Sequence, residues 1–244
     1  MRRFLFLLLL VCAAFGHRSA SAQKIIEKTA KLAAGQSVFL NLKQASSIRV
    51  RAGASGQLTL KATVSINQNR LNDALRLNVE SADNELMVAS TLDYDLLRDA
   101  PPGDCPTGGA YYGDGYISYG RNGARDRDAA RACVAVDYDI SLPADVMLRV
   151  STLSGNIDIA GLTGPIEAKS LSGFVDVAWP PGQGAELVLK TITGEVYTDQ
   201  DIAFTSTRPK NPVVGYQLRG TLSGSGPLVK LESISNDVYF RKRK

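Results

Sequence analysis

Apolar and polar residues alternate with period two through most of this chain. Val38, Leu40 and Leu42 alternate with Phe39, Asn41 and Lys43. Ile48 and Val50 alternate with arginines, and Leu58, Leu60, Ala62, Val64 and Ile66 alternate with mostly polar neighbours. One apolar face per segment is the signature of a half-buried strand. Residues 67–75 break the alternation and have room for one helical turn. The strand pattern resumes at Leu77–Val79 and Leu86–Val88, and again over Val134–Leu142, where Pro143 ends it.

From Leu148 onward a four-residue word recurs: Thr152-Leu153-Ser154-Gly155, Ser170-Leu171-Ser172-Gly173, Thr191-Ile192-Thr193-Gly194, Thr221-Leu222-Ser223-Gly224 and Ser233-Ile234-Ser235-Asn236. Each word predicts a corner between two short strands. Gly, or Asn in the last copy, tolerates a left-handed backbone. The flanking hydroxyls can satisfy backbone groups at the bend. The aliphatic residue between them is expected to point inward, ahead of the inward positions Ile157, Ile159, Val175, Val177, Val196 and Val238. Spacings of 18 and 21 residues between successive corners, and of 42 from Gly194 to Asn236, predict an all-β solenoid, or β-helix-like stack, of about 18–21 residues per coil. Gly224 falls out of phase and is expected on the opposite edge. The same turns also suit an antiparallel meander or β-sandwich.

The run Gly155-Asn156-Ile157-Asp158-Ile159 followed by Gly161-Leu162-Thr163-Gly164-Pro165-Ile166 resembles the secreted bacterial β-strand-repeat family labelled "putative adhesin", a domain of unknown function. So do the strand Val136–Pro143 and the ending Asp237-Val238-Tyr239-Phe240-Arg241-Lys242. The likeness spans about residues 134–240 and, more loosely, 24–97. It implies a β-helix-like exported protein and brings no catalytic residues with it.

Residues 1–22 read as an export signal: Arg2 and Arg3, an apolar run from Phe4 to Ala14, and Ala20-Ser21-Ala22 before the expected cleavage. Cys12 follows Val11, a poor setting for lipidation. The expected mature chain is a single elongated β domain, 23–240, with no further membrane-length segment and a basic tail at 241–244, read as a solvated end. The periplasm, the cell surface and the extracellular space all fit such a chain. Without Arg2, Arg3 and Arg18, basic and acidic residues nearly balance, which gives no footprint for nucleic acid. The single histidine, His17, lies inside the signal, so the mature chain has no Ser-His-Asp or His-zinc chemistry.

Residues 98–133 form a Gly-rich excursion that carries Tyr111, Tyr112, Tyr116 and Tyr119. Cys105 and Cys133, the two cysteines left after cleavage, are expected to staple it with a disulfide worth about 3.5 kcal/mol of chain entropy. Tyrosine among glycine and serine suits a binding surface. Asp104, Asp114, Asp126 and Asp128 match no calcium-loop spacing. Counting from the corners puts Asp158 and Asp176 on neighbouring coils, with Tyr197 and Tyr239 at the same outward place. Paired carboxylates on such a face would suit a polysaccharide hydrolase or lyase. The plainer reading is two solvated acids paired with Lys169 or Lys190. The balance favours a non-catalytic binding, adhesion or envelope-associated module with no cofactor or metal. Its partner would be an envelope protein or glycan met through the tyrosines.

Overall fold

The computed structural model describes residues 22–98, 105, 110–113, 116–119, 130–206 and 215–243, with backbone alone from 110 to 131. Residues 1–21 of the expected signal, and Asp104, Asp114, Asp126 and Asp128 of the excursion, lie outside the described residues.

Six units each pair a strand of one sheet with a strand of the other. In chain order they are β2 (Ser37–Asn41) with β3 (Ser47–Ala52), β6 (Glu85–Leu92) with β10 (Val134–Leu142), β11 (Leu148–Thr152) with β12 (Asn156–Ala160), β13 (Ile166–Ser170) with β14 (Val175–Trp179), β15 (Ala185–Thr191) with β16 (Val196–Thr198), and β19 (Leu228–Ser233) with β20 (Val238–Lys242). Equivalent strands of neighbouring units pair in parallel, residue for residue. Antiparallel strands flank them: β1 (Lys24–Lys31) and β4 (Gln57–Ile66) beside β10, β5 (Leu75–Ser81) beside β6, and β17 (Ile202–Phe204) and β18 (Tyr216–Leu222) beside β15.

The result is all-β. An eight-stranded sheet, sheet A, runs β1-β4-β10-β3-β12-β14-β20-β16. A nine-stranded sheet, sheet B, runs β17-β18-β15-β19-β13-β11-β2-β6-β5. Both are mixed and neither closes into a barrel, so a sandwich describes them as well as a solenoid does. Their inward residues share one core, from Val38 and Leu40 through Ile157, Ile159, Val175 and Val177 to Val238 and Phe240. Each such side chain contributes about 1.5–3 kcal/mol of burial.

The structure departs from the periodic reading in several places. The units do not stack in chain order. The last, β19/β20, lies between β13/β14 and β15/β16. Among the described residues no coil fills the 42-residue step from Gly194 to Asn236, where β17 and β18 run antiparallel at the edge instead. The corner aliphatics do not turn inward: Leu171 is exposed, and Leu153, Ile192 and Ile234 are only half-buried. The strand alternation runs on through the corner, which puts the first hydroxyl of each word inside. Thr152, Ser170, Thr191 and Ser233 are all buried. The exception is the out-of-phase copy, where Leu222 is buried and Thr221 is not.

A buried hydroxyl must find partners; Thr152 Oγ1 accepts the Gly155 N–H (3.4 Å), and the other three are each held twice. Ser170 Oγ accepts the Gly173 N–H (2.8 Å) and donates to the Gly155 carbonyl of the next unit (2.9 Å). Ser233 Oγ accepts from Asn236 (3.1 Å) and donates to the Gly173 carbonyl (2.9 Å). Thr191 does the same between Gly194 (3.0 Å) and the Asn236 carbonyl (2.9 Å). The corners thus form a row of hydroxyls wired from unit to unit.

Left-handed backbone is found at Gly224 (φ 94°) but not at Gly155, Gly173, Gly194 or Asn236. Glycine is needed at the first three for space. A Cβ at Gly173 would fall on the Gly155 carbonyl, one at Gly194 on the Asn236 carbonyl, and one at Gly155 within 2.8 Å of the Ala45 carbonyl oxygen. The basic tail is drawn into the sheet as far as Arg243. Arg241 and Lys242 end β20, and Arg243 N–H donates to the Trp179 carbonyl (2.9 Å). Trp179 itself is wholly buried, 6.0 Å from the Phe240 ring.

Candidate functional site

The excursion leaves the stack at a corner. Ala89 pairs with Asn41, so Ser90 lies one residue further on, level with Leu42 and in line with the buried hydroxyls. Ser90 is itself buried and donates to Gln44 Oε1 (3.1 Å). In the other units three or four residues then carry the chain across to sheet A. Here residues 93–133 intervene before β10. A short helix, α1 (Tyr94–Arg98), buries Leu97 against the core, and the Asp93 N–H donates to the Ala74 carbonyl (2.8 Å). The Gly-rich excursion contains three strands that its composition does not reveal. β7 (Ala110–Gly113), β8 (Tyr116–Tyr119) and β9 (Ala130–Ala132) form a small antiparallel sheet with β7 in the middle. Its register opposes Tyr116 to Gly113 and Tyr119 to Ala110, and Tyr111 and Tyr112 lie on β7 between β8 and β9.

Two devices hold the base of this sheet. Cys105 and Cys133 are joined by a disulfide, with Cα atoms 5.6 Å apart. Cys133 is gripped again by Asn67, whose N–H donates to the Cys133 carbonyl (3.0 Å) and whose Oδ1 accepts the Cys133 N–H (2.8 Å). Asn67, Gln68 and Asn69 all have left-handed backbones, with φ of 47°, 56° and 70°. Asn visits this region more readily than most residues. The break in alternation after Ile66 is the only sign of this grip in the sequence.

Asp158 and Asp176 do pair across β12 and β14. Neither is paired with Lys169 or Lys190. Those lysines lie on sheet B, where both reach Glu232, at 3.5 and 3.1 Å. Burial pushes the Glu232 carboxyl up, but the two lysines outweigh it and hold it below its ordinary range. Asp158 is engaged end-on by Arg51, at 3.1 and 2.8 Å. Asp176 is nearly buried and engaged by both Nε (3.0 Å) and Nη2 of Arg241, whose guanidinium is raised above its usual value by that hydrogen bond. Two-pronged guanidinium pairs of this kind fix a carboxylate as a charge-assisted acceptor.

These residues belong to a longer row on the outer face of sheet A. In register across the strands stand Glu27, Lys61, Asp139, Arg49, Asp158, Asp176, Tyr239 and Tyr197. Arg49 holds Asp139 at 2.6 and 3.1 Å, and its hydrogen bond keeps the Asp139 carboxyl below its ordinary range. At the other end Tyr197 and Tyr239 stack, with centroids 5.1 Å apart and 15° between planes. Phe174 meets Tyr239 edge-on at 6.1 Å, and Arg241 lies 5.6 Å from the Tyr239 ring centre. The Tyr239 hydroxyl donates to Asp237 (3.0 Å); burial and that acid raise its pKa. Among the described residues no group of three or more His, Cys, Asp or Glu is placed to hold a metal, and no helix is long and apolar enough to cross a membrane.

Among solved structures, the fold is similar to that of a "putative cell adhesion protein" from Clostridium sporogenes. The TM-score is 0.50 at 10% identity, over 91% of this chain and 100% of the other. A "putative adhesin" from Bacteroides fragilis aligns over 91% of this chain and 99% of its own, at 10% identity with a TM-score of 0.23. No protein-family model matches the chain, and no curated protein matches it.

Proposed function

We propose that this chain is an exported, non-catalytic binding or adhesion module. In this reading a solenoid-like stack serves as scaffold and the 98–133 excursion as recognition element. The observation that carries it is the contrast between corners. Those of the word-bearing units are tight turns, whereas the corner after β6 is replaced by a separate sheet fastened at its base by the disulfide and by Asn67. A fastened base lowers the entropy lost when a loop orders on a partner. The tyrosines on β7 and β8 offer large contact area at modest ordering cost. The name of the Clostridium structure, and the resemblance to the secreted adhesin-type family, agree with this role. The periplasm, the cell surface and the medium are all compatible with a disulfide-bonded product of export. The carboxylate-enzyme alternative is weakened because Asp158 and Asp176 are each committed to an arginine.

The test is capture of envelope proteins by the mature chain, compared with a variant lacking residues 108–122. Capture should fall at least tenfold in the variant while the far-ultraviolet circular dichroism stays β-rich. Unchanged capture after deletion, with loss in the Asp158→Asn/Asp176→Asn double variant, would overturn the reading.

A further inference from the structure

We infer that the outer face of sheet A is a second binding surface, and that it takes a linear, neutral, β-linked saccharide chain. Two built features at opposite ends of one face carry this. The first is a groove of about 500 Å³ over β1, β4, β10 and β3. Its floor is a row of short hydroxyl side chains in register, Thr29, Thr59 and Ser141. Arg51 continues that row at one end, and Lys61, Asp139 and Arg49 stand along one side. Ser141 occupies space that only a glycine opposite leaves open, since a Cβ at Gly53 would fall on its hydroxyl.

The second feature is the ring stack of Tyr197 and Tyr239 at the far end of the same face. Tyr197 belongs to β16, the last strand of the sheet, and is 48% exposed. One side of its ring is covered by Tyr239, so the exposed area faces away from the stack. Phe174 and Arg241 hold Tyr239 in place, and the platform is therefore ordered before any ligand arrives.

The chemistry of the two features converges on sugar. Most of the groove's charges are matched, Arg49 by Asp139, Arg51 by Asp158 and Lys61 by Glu27 in register, and Lys28 leaves one net positive charge at its β1 edge. A polyanion would meet only that single net charge, and a polycation would meet none of opposite sign. A polyhydroxylated ligand finds fixed donors and acceptors side by side, which hydroxyl groups can satisfy in both senses. The C–H face of a β-linked pyranose ring is apolar and flat, suited to an open tyrosine ring. The track from Glu27 to Tyr197 crosses seven strand spacings, or ~34 Å at ~4.8 Å each. A chain long enough to touch both ends gains from each, and a short fragment reaches only one.

This surface is distinct from the excursion, and the experiment keeps the two separable. Calorimetric titration of the mature protein would use cellohexaose and chitohexaose, each against its disaccharide. At least one hexasaccharide should bind tenfold or more tightly than its disaccharide. Tyr197→Ala and Thr59→Val should each remove most of that advantage, and Tyr197→Phe should keep it. The variant lacking residues 108–122 should bind the hexasaccharide as the intact chain does. Absence of heat with both hexasaccharides, or equal affinity for long and short chains, would overturn the inference. So would self-association that Tyr197→Ala abolishes, which would assign the face to a second copy of this chain.

Discussion

Two sets of glycines mark the stacked strands for opposite reasons, while Gly164, Gly184 and Gly226 at the far end are packed as closely as the corner row. In the corner row Gly155, Gly173 and Gly194 have ordinary backbones, and a side chain on any of them would collide with the neighbouring unit. At the far end Gly35, Gly56, Gly182 and Gly224 have φ between 71° and 94°, and nothing lies within 4 Å of where a Cβ would be. The first set is constrained by tertiary packing and the second by local torsion. A cost set by packing depends on what sits in the next unit; a torsional cost belongs to the residue itself.

The widest separation between the two sets is expected from Gly173→Ala. Its new methyl group would press on the Gly155 carbonyl, and overpacking of that kind costs about 3 kcal/mol. Asn should do no better there, although Asn236 fills the equivalent place, because the collision begins at Cβ. Denaturant melts of Ala and Asn variants check this, and a cost below 1 kcal/mol for either would show that the units can separate freely. A smaller effect is expected from Ser233→Ala, which strands the Gly173 carbonyl and the Asn236 N–H in the core. The loss should be about 2 kcal/mol, largely restored by Thr; a neutral Ala variant would mean the hydroxyl row is incidental. The mildest is Gly182→Ala, where only the torsion resists. About 1 kcal/mol is expected from melts, and less for Gly182→Asn, since Asn accepts this region. If Ala at 182 proved as costly as Ala at 173, the distinction between the two sets would fail.

Much of the strand content is legible because one-sided burial writes itself as period two. The in-register facing of Asp158 and Asp176 is legible for the same reason. The corner word reveals where chains bend, but its letters mislead about direction. Hydrophobicity alone sends Leu171 inward and Ser170 outward. The alternation inherited from Ile166 and Ala168 sends Ser170 in, where two backbone groups need it. The order of the units is not legible, since a parallel neighbour may come from anywhere in the chain. The ion pairs fail for the same reason: Arg51 and Arg241 lie 107 and 65 residues from the acids they hold. The groove is hidden because Thr29, Thr59 and Ser141 meet only through strand pairing.

The inserted position of β19/β20 has a consequence for how the molecule comes into being. A repeat protein that stacks in chain order can add each coil as it is made. Here β15 and β16 find their parallel neighbours only in β19 and β20, which follow them in the chain. Until that segment arrives, β13/β14 and β15/β16 have no partner on their facing sides, and the row of hydroxyl links has a gap in its middle. The β19/β20 segment therefore acts as a keystone. Assembly here is an act of closure, and a chain cut before β19 forfeits two units rather than one.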